Sequence, residues 1–336
     1  MPMPMQMPMQ MQMQMQKQQQ QKGLSIFVAI SLSLLLRSLV AIHHHSGQDN
    51  HHGSKVAYGG DFEAQRHWME LTIHLPLSKW YTYDTSYWGL DYPPLTAYGS
   101  YILGKLSEVF VGRESVALMD SRGIENPVHK AFMRATVIGL DCIIYIPIIY
   151  LILQKLYSTS ASTSSSVATL LLGVLIQPAL LMIDHGHFQY NAVCLAFAIG
   201  SFYYMTNIIQ IDPRHGYYYE YNIALNCILA SIFFCLALNW KQMALYYAPA
   251  VFAYLLGRCF RSLSSPPIVE GETLKRSTNN VLNLIRVLVQ IAKLGITVIL
   301  TFGILWYPFY HYREEYDQTI TDVFAILLKR IFPFSR

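Results

Sequence analysis

Long apolar blocks constrain the fold of this chain more than any other feature of its sequence. About seven such blocks occur in its 336 residues, and most are long enough to cross a bilayer as a helix, which satisfies its own backbone hydrogen bonds. The hydrophobic content of 53% and the mean hydropathy of +0.28 agree with lipid as the main solvent. We therefore predict an all-α polytopic membrane protein. The predicted spans are Gly23 to Ile42 and residues 132–154, 167–183, 190–209, 222–238, 243–257 and 281–306.

Charge and cysteine content exclude other classes of protein. The net charge of +4 is small, and the basic residues are dispersed between apolar blocks, so no nucleic-acid surface is expected. The five cysteines lie in or beside apolar segments without metal-ligand spacing. We predict core thiols, with neither a disulfide framework nor a zinc site.

Domain organisation follows from composition along the chain. Residues 1–22 alternate Met with Gln or Pro and are predicted to be disordered and cytosolic, whereas residues 23–336 form one membrane domain. The first span is too long and too rich in Leu for a cleaved signal peptide, so it is predicted to be a retained anchor. The basic residues of the short connections fall on one side when the spans alternate, and that side is the cytosol.

The opposite, lumenal side should carry the chemistry. It receives the long loop of about residues 43–131, in which Phe62 to Leu75 and Leu95 to Phe110 mix apolar and charged residues as interfacial helices do. Asp61 opens the first of these helices, where it is either an N-cap or a catalytic base. Asp91 precedes Pro-Pro, where it either belongs to a rigid turn or binds the acceptor.

A dense polar run, Asp184 to Asn191, joins two spans on the same side. It is either a satisfied turn or a set of donors for phosphate or sugar hydroxyls, with Lys241 as a further cation. Its spacing matches no recognised metal-ligand pattern, and the histidines at 43–45 and 51–52 are interpreted as solvated loop. Arg37 and Asp141 lie inside predicted spans at compatible depths, so we expect a structural ion pair.

Three segments resemble one family: Gly60 to Thr72, Trp88 to Tyr98, and His185 to Asn191. They are similar to the dolichyl-phosphate-glucose-dependent α-1,3-glucosyltransferases of the endoplasmic reticulum, and most to the members that add the first glucose. The resemblance extends over about Gly23 to Arg336. It implies a GT-C fold with lumenal interfacial helices, a multi-pass endoplasmic-reticulum protein whose active site faces the lumen, and a metal-independent inverting transfer that needs no cofactor.

The resemblance also implies substrates and residue roles. Glucose would pass from dolichyl phosphate glucose to the terminal mannose of dolichyl-pyrophosphate-linked Man9GlcNAc2, in assembly of the N-glycan precursor. Asp61 would be the catalytic base. The substrate-binding candidates are Asp91, Glu63, Arg66, His67, Tyr92, His185, His187, Gln189 and Lys241. Phe332 to Arg336 resembles the opening of a motif that continues in the family into further spans, so the resemblance implies a C-terminally incomplete chain.

Other functions remain open at this level. The sister α-1,3-glucosyltransferase and a mannosyltransferase that uses dolichyl phosphate mannose would share the fold. A transporter would show paired broken spans with ionisable groups near the midplane, and the sequence shows little of that pattern. A non-catalytic scaffold would tolerate replacement of the lumenal acids.

Overall fold

The computed structural model describes residues 9–48, 60–124, 126–157, 165–210, 216–261, 280–312 and 320–332. These residues form α-helices together with shorter 3₁₀- and π-helical segments. The helices are α1 (Met9–Ile42), α2 (Asp61–His74), α3 (Pro94–Phe110), α4 (Pro127–Leu140), α5 (Ile146–Tyr157), α6 (Ser165–Leu175), α7 (Pro178–Leu180), α8 (Asn191–Gln210), α9 (Gly216–Trp240), α10 (Ala248–Arg261), α11 (Asn280–His311) and α12 (Ile320–Ile331). The histidines at 51–52 lie outside this part of the chain.

Six stretches of the described residues are long and apolar enough to cross a membrane. They match six of the predicted spans, which confirms the multi-pass architecture. The seventh predicted span, 190–209, is helix α8 and is not one of the six. The six are Gly23–Ile42, Pro127–Tyr157, Val167–Phe188, Tyr221–Trp240, Gln242–Phe260 and Leu284–His311.

The N-terminal tract differs from the prediction of disorder. Helix α1 begins at Met9, so the described part of the Met- and Gln-rich tract is helical and continuous with the first span. Met, Gln and Lys are strong helix formers, and a helix that already exists extends into them without a new nucleation step. Composition indicated disorder because the tract has little to bury, but it did not account for this extension.

Helices α2 and α3 form where the sequence predicts them, with boundaries shifted by one residue. Pro94 starts α3 at a position where a missing amide hydrogen costs nothing. Helix α2 packs against α3, and every residue from Phe62 to Thr72 is buried. Other parts of the protein therefore cover α2 on all sides.

The predicted intramembrane pair is present. Arg37 Nε lies 2.7 Å from Asp141 Oδ2, and the two side chains are 0% and 1% exposed. Asp141 begins a π-helical turn, Asp141–Tyr145, between α4 and α5. Pro147 has no amide hydrogen to donate to the preceding turn, so the helix widens there. The pair joins α1 to the long span that contains α4 and α5.

Candidate active site

Asp61 is the first residue of α2, and its carboxylate contacts the polar run that joins two spans. Its Oδ2 accepts hydrogen bonds from His187 Nε2 at 2.8 Å and from Gln189 Nε2. The amides of the first turn bond instead to the carbonyl of Gly60, which occupies the N-cap position. Asp61 is therefore not the N-cap of α2, and its carboxylate contacts His187 and Gln189 instead.

Gly60 allows the chain to approach closely behind this carboxylate. The amide of Gly60 donates to the carbonyl of Ser46 at 3.2 Å, and the amide of Ser46 donates to the carbonyl of His187 at 3.3 Å. A Cβ on Gly60 would lie 2.7 Å from the backbone of Ser46, which is too close for any side chain. The backbone of Ser46, in the loop after α1, therefore joins Gly60, the residue before Asp61, to His187.

Asp184 orders the beginning of α8. Its carboxylate accepts from the amides of Asn191 at 3.1 Å and Ala192 at 2.7 Å, and from Asn191 Nδ2 at 2.8 Å. These amides belong to the first turn of a helix, where they have no partner within the helix. Asp184 thereby caps α8 and orients the side-chain amide of Asn191.

Arg134 and Phe188 shape the turn that carries the two partners of Asp61. Arg134 donates to the carbonyl of His185 and, at 2.9 Å, to that of Gly186. Phe188 is fully buried with φ +88°, a left-handed conformation that non-glycine residues adopt at a cost of about 1–3 kcal/mol. The reversal at Phe188 places both His187 and Gln189 against Asp61.

Lys241 extends this polar cluster. Its Nζ donates to Asn191 Oδ1 at 2.7 Å and to Gln189 Oε1 at 3.3 Å, and it lies 4.7 Å from the centre of the Tyr92 ring. Burial lowers the pKa of Lys241, although Asp184 and other nearby carboxylates oppose the change. Burial raises the pKa of Tyr92, whose hydroxyl donates to Gln189 Oε1 at 3.4 Å. Lys241 is therefore a buried cation at the meeting point of α8 and α9.

A cavity of about 1210 Å³ opens beside the cluster. Its polar side includes Asp61, His187, Gln189, Asn191 and Lys241, which the hydrogen bonds above join into one patch. The remaining wall is mostly apolar and comes from the spans, including Leu170, Val174, Leu180, Ile183, Leu195 and Met243. The arrangement suits an amphiphile with a long apolar part and a polar anionic group.

Residues 27–336 match the family described as the ALG6, ALG8 glycosyltransferase family. The chain belongs to this family. Its membership and its helical architecture confirm the GT-C fold that the resemblance implied.

Curated relatives agree with this placement. The chain is 39% identical over 308 residues to the probable dolichyl pyrophosphate Man9GlcNAc2 alpha-1,3-glucosyltransferase of Arabidopsis thaliana. The aligned region covers 90% of this chain and 48% of that relative. It is 39% identical over 307 residues to the dolichyl pyrophosphate Man9GlcNAc2 alpha-1,3-glucosyltransferase of Saccharomyces cerevisiae, with 90% and 47% covered. The Gallus gallus protein of the same name is 37% identical over 310 residues, with 90% and 50% covered. The chain spans about half the length of the curated relatives it matches.

Three predicted substrate-binding residues lie in a buried network and not in the cavity wall. They are Glu63, Arg66 and His67. Arg66 contacts Glu63 with Nε to Oε2 at 2.7 Å and Glu70 with Nη1 to Oε2 at 2.7 Å, and His67 Nδ1 lies 3.2 Å from Glu70. Burial acts to raise the pKa of Glu70, but the hydrogen bond from His67 and the charge of Arg66 outweigh it and lower that pKa to about 2. Glu70 also accepts from the amide of Met119 at 2.7 Å. The network ties α2 to the loop after α3 and does not line the cavity.

The other two predicted residues lie near the cluster but outside the cavity wall. His185 is buried, and its Nε2 lies 2.9 Å from Asp141 Oδ2, so it joins the Arg37 pair and not Asp61. Asp91 is partly exposed beside Tyr92, and its charge adds to the effect of burial in raising the pKa of Tyr92. Its carbonyl accepts from Gln242 Nε2 at 3.5 Å. The structure thus brings together Asp61, Tyr92, His187, Gln189 and Lys241, and leaves Glu63, Arg66, His67 and His185 in other contacts.

Several residues of the site were not predicted from the sequence. Arg134 is a basic residue within an apolar block, a signal that could have identified it. Arg330 donates to the carbonyls of Gly89 at 2.8 Å and Leu90 at 3.2 Å and so supports the segment before Asp91. Ser46 acts through its backbone, which leaves no signature in the sequence.

The remaining candidates concern metals and thiols. Among the described residues, no group of three or more His, Cys, Asp or Glu is placed to hold a metal ion. Cys194, Cys227, Cys235 and Cys259 are buried, whereas Cys142 is exposed. His45 stacks on Phe62 with ring centres 3.9 Å apart, so this member of the histidine cluster packs against α2.

Proposed function

We propose that this chain transfers glucose from dolichyl phosphate glucose to the terminal mannose of dolichyl-pyrophosphate-linked Man9GlcNAc2, in α-1,3 linkage. The observation that carries the proposal is the position of Asp61. Its carboxylate stands in the polar wall of a largely apolar cavity and is held by two donors on one oxygen. The names of the curated relatives support the acceptor, the α-1,3 linkage and the transfer of glucose, while the donor is inferred from the resemblance and from the apolar cavity.

Asp61 is assigned the role of general base. Because His187 and Gln189 both donate to Oδ2, the other oxygen, Oδ1, is left to take the proton of the acceptor 3-hydroxyl. The acceptor oxygen then attacks the anomeric carbon while the bond from that carbon to the phosphate oxygen breaks on the opposite face. A β-linked donor gives an α-linked product. The phosphate leaves as an anion, so no residue has to protonate it.

Lys241 and the apolar wall are assigned to the donor. An ammonium group attracts the phosphate throughout the reaction and most strongly as the phosphate gains charge. The side chains from the spans offer a surface for the polyprenyl chain, which reaches the site from the bilayer. Gln189 contacts both Asp61 and Lys241, and so it fixes the distance between the base and the cation.

The proposed location is the endoplasmic-reticulum membrane, with this site at the lumenal surface. A glycosylation acceptor inserted near Ser54 should be modified in that compartment, and one inserted within residues 158–166 should remain unmodified. Residue 54 and residues 158–164 lie outside the described part of the chain. Modification of the second position alone would reverse the orientation and remove the lumenal site.

The activity test compares Asp61→Asn with Asp120→Asn, an exposed acid of the same loop. Both variants are assayed in membranes that contain this chain, and in a hybrid in which the chain replaces the matching half of the Saccharomyces cerevisiae relative. Loss of a general base lowers turnover by about a hundredfold or more. We expect that loss for Asp61→Asn with donor binding retained, and native turnover for Asp120→Asn.

The same assay separates the alternatives. Glucosyl and mannosyl phosphate donors are offered in parallel, and preference for the mannosyl donor would indicate the mannosyltransferase. Transfer to an acceptor that already carries one glucose would indicate the sister glucosyltransferase. If the Asp61→Asn hybrid keeps native turnover, Asp61 is not the general base. The same result is expected if this chain has only a scaffold role.

A further inference from the structure

Asp184 is a buried carboxylate that takes no direct part in the proposed transfer of glucose. It is 0% exposed, and it does not line the cavity beside Asp61. Its oxygens accept from the amides at the start of α8 and from Asn191 Nδ2. Asparagine and serine satisfy the first amides of a helix about as well as aspartate does, and a buried charge is costly. Helix capping alone therefore does not account for an acid at this position.

Asn191 connects this carboxylate to Lys241. Its Nδ2 donates to Asp184 Oδ1 at 2.8 Å, and its Oδ1 accepts from Lys241 Nζ at 2.7 Å. An ionised carboxylate only accepts hydrogen bonds and an ammonium group only donates them, so these two neighbours permit one orientation of the amide between them. Asp184 thereby fixes the oxygen that holds Lys241.

The Lys241 ammonium is held by neutral groups on the side of the cavity. Its three hydrogens are its only donors, and among the described residues one goes to Asn191 Oδ1 and one to Gln189 Oε1, at 3.3 Å. Both acceptors are amide oxygens, so neither neutralises the positive charge. All three side chains line the cavity. The third hydrogen is therefore left for an oxygen of an anion that enters it.

The negative charges that face Lys241 come from separate elements. Burial lowers the pKa of Lys241, and the groups that oppose this are Asp184 before α8, Cys194 on α8, Asp61 at the start of α2 and Asp91 before α3. Asp184 has the largest effect among them. A direct ion pair with Asp61 would occupy the base, whereas Asp184 supplies its charge from behind the cavity wall.

We propose that Asp184 is a positioning residue for the donor phosphate, and that it acts through Asn191 on the Lys241 ammonium. The proposal rests on the proposed function, because it takes the donor to be an anion held by Lys241. Asp184 stabilises the positive charge in a buried position, and the intervening amide avoids the neutralisation that a direct ion pair would cause. Donor affinity therefore depends on a carboxylate that does not touch the donor.

Three variants separate this role from helix capping. Asp184→Asn removes the charge but keeps a residue that caps a helix equally well. Asn191→Ala breaks the connection to Lys241 and leaves Asp184 to cap α8. Asp120→Asn is the matched control, because it removes an exposed carboxylate from the loop between α3 and α4. Binding of dolichyl phosphate glucose to the intact chain in lipid nanodiscs is measured across a range of pH, together with the stability of each variant.

The expected result is weaker donor binding with a changed pH profile. Asp184→Asn and Asn191→Ala should each bind the donor about tenfold more weakly at neutral pH, the effect of about one hydrogen bond to a charged group. In Asp184→Asn, binding should also be lost at a lower pH than in the native chain, because the main charge that opposes the effect of burial on Lys241 is gone. Asp120→Asn should bind as the native chain does.

A second background shows whether the effect passes through Lys241. In Lys241→Met, the further change Asp184→Asn should alter donor affinity by less than about twofold, since residues that act through one another are not additive. A tenfold loss in that background would overturn the proposal. So would a weakened Asp184→Asn whose pH profile coincides with that of the native chain, because loss of a cap alone gives that result.

Native donor affinity in Asn191→Ala would also overturn the proposal, and this variant decides alone if Asp184→Asn does not fold. Failure of the proposed function gives a different result, namely a native chain that does not bind the donor. The pKa of Lys241 is then followed by NMR of 13C-labelled lysine in the intact chain without donor, with Lys241→Met to assign the signal. A fall of that pKa in Asp184→Asn supports the action of Asp184 on Lys241, and an unchanged pKa refutes it.

Discussion

Replacing Arg37 by leucine tests the intramembrane ion pair in the part of the protein that supports the site. The guanidinium lies 2.7 Å from Asp141 Oδ2 with both side chains buried, so its removal leaves a carboxylate without its cationic partner. Breaking a buried pair in this way costs about 3–5 kcal/mol. His185 contacts the same carboxylate oxygen at 2.9 Å, so we expect the lower part of that range for Arg37→Leu.

Asp141→Leu should cost more, near the upper end of the range. It leaves the Arg37 guanidinium buried with no carboxylate partner among the described residues. The double variant Arg37→Leu with Asp141→Leu should recover most of the loss, because two well-packed apolar side chains often equal or exceed a buried ion pair in stability. Exchanging the two residues should restore part of it.

The assay is reversible denaturation of the purified chain in lipid nanodiscs, with the free energy of unfolding measured for the native chain, both single variants and the double variant. The four values give the coupling energy of the pair. The reasoning is refuted if either single variant lies within about 0.5 kcal/mol of the native chain, the range of ordinary surface substitutions. It is also refuted if the double variant loses the sum of the two single losses.

Three further predictions concern the site. In the hybrid, Asp91→Asn should raise the acceptor KM with a smaller loss of turnover at saturation, and abolished turnover at saturating acceptor would exchange its role with that of Asp61. Gly60→Ala should lower turnover by about tenfold or more, because the added methyl displaces the backbone next to the base. Gly139→Ala, where a Cβ meets nothing within 4 Å, is its control and should retain native turnover. Burial lowers the pKa of Lys241, so this residue loses its proton at a lower pH than an ordinary lysine, whose pKa is about 10.4. Donor binding should therefore weaken with rising pH below that value. Lys241→Met should bind the donor weakly with a flat pH profile, and a profile unchanged from the native chain would contradict the assignment.

The sequence by itself determined the class of fold and the elements that bear the motifs. Apolar length predicted six spans that the structure shows, because a bilayer imposes one requirement on every crossing segment. Turn residues and Pro94 predicted where α2 and α3 begin, since helix ends depend on local backbone chemistry. The Arg37–Asp141 pair was predictable because a charge inside a span has few alternatives to pairing.

Only the tertiary structure decided which motif residues meet. His185 and His187 are two positions apart in one motif, yet one joins the Arg37–Asp141 pair and the other contacts Asp61. Likewise, Asp61 lines the cavity while Arg66, five positions later, lies fully buried between two glutamates. Sequence spacing gives the direction of a side chain relative to its own helix, but what it contacts depends on the segments that pack around that helix. Those contacts join residues far apart in the chain, as the backbone of Ser46 does between Gly60 and His187.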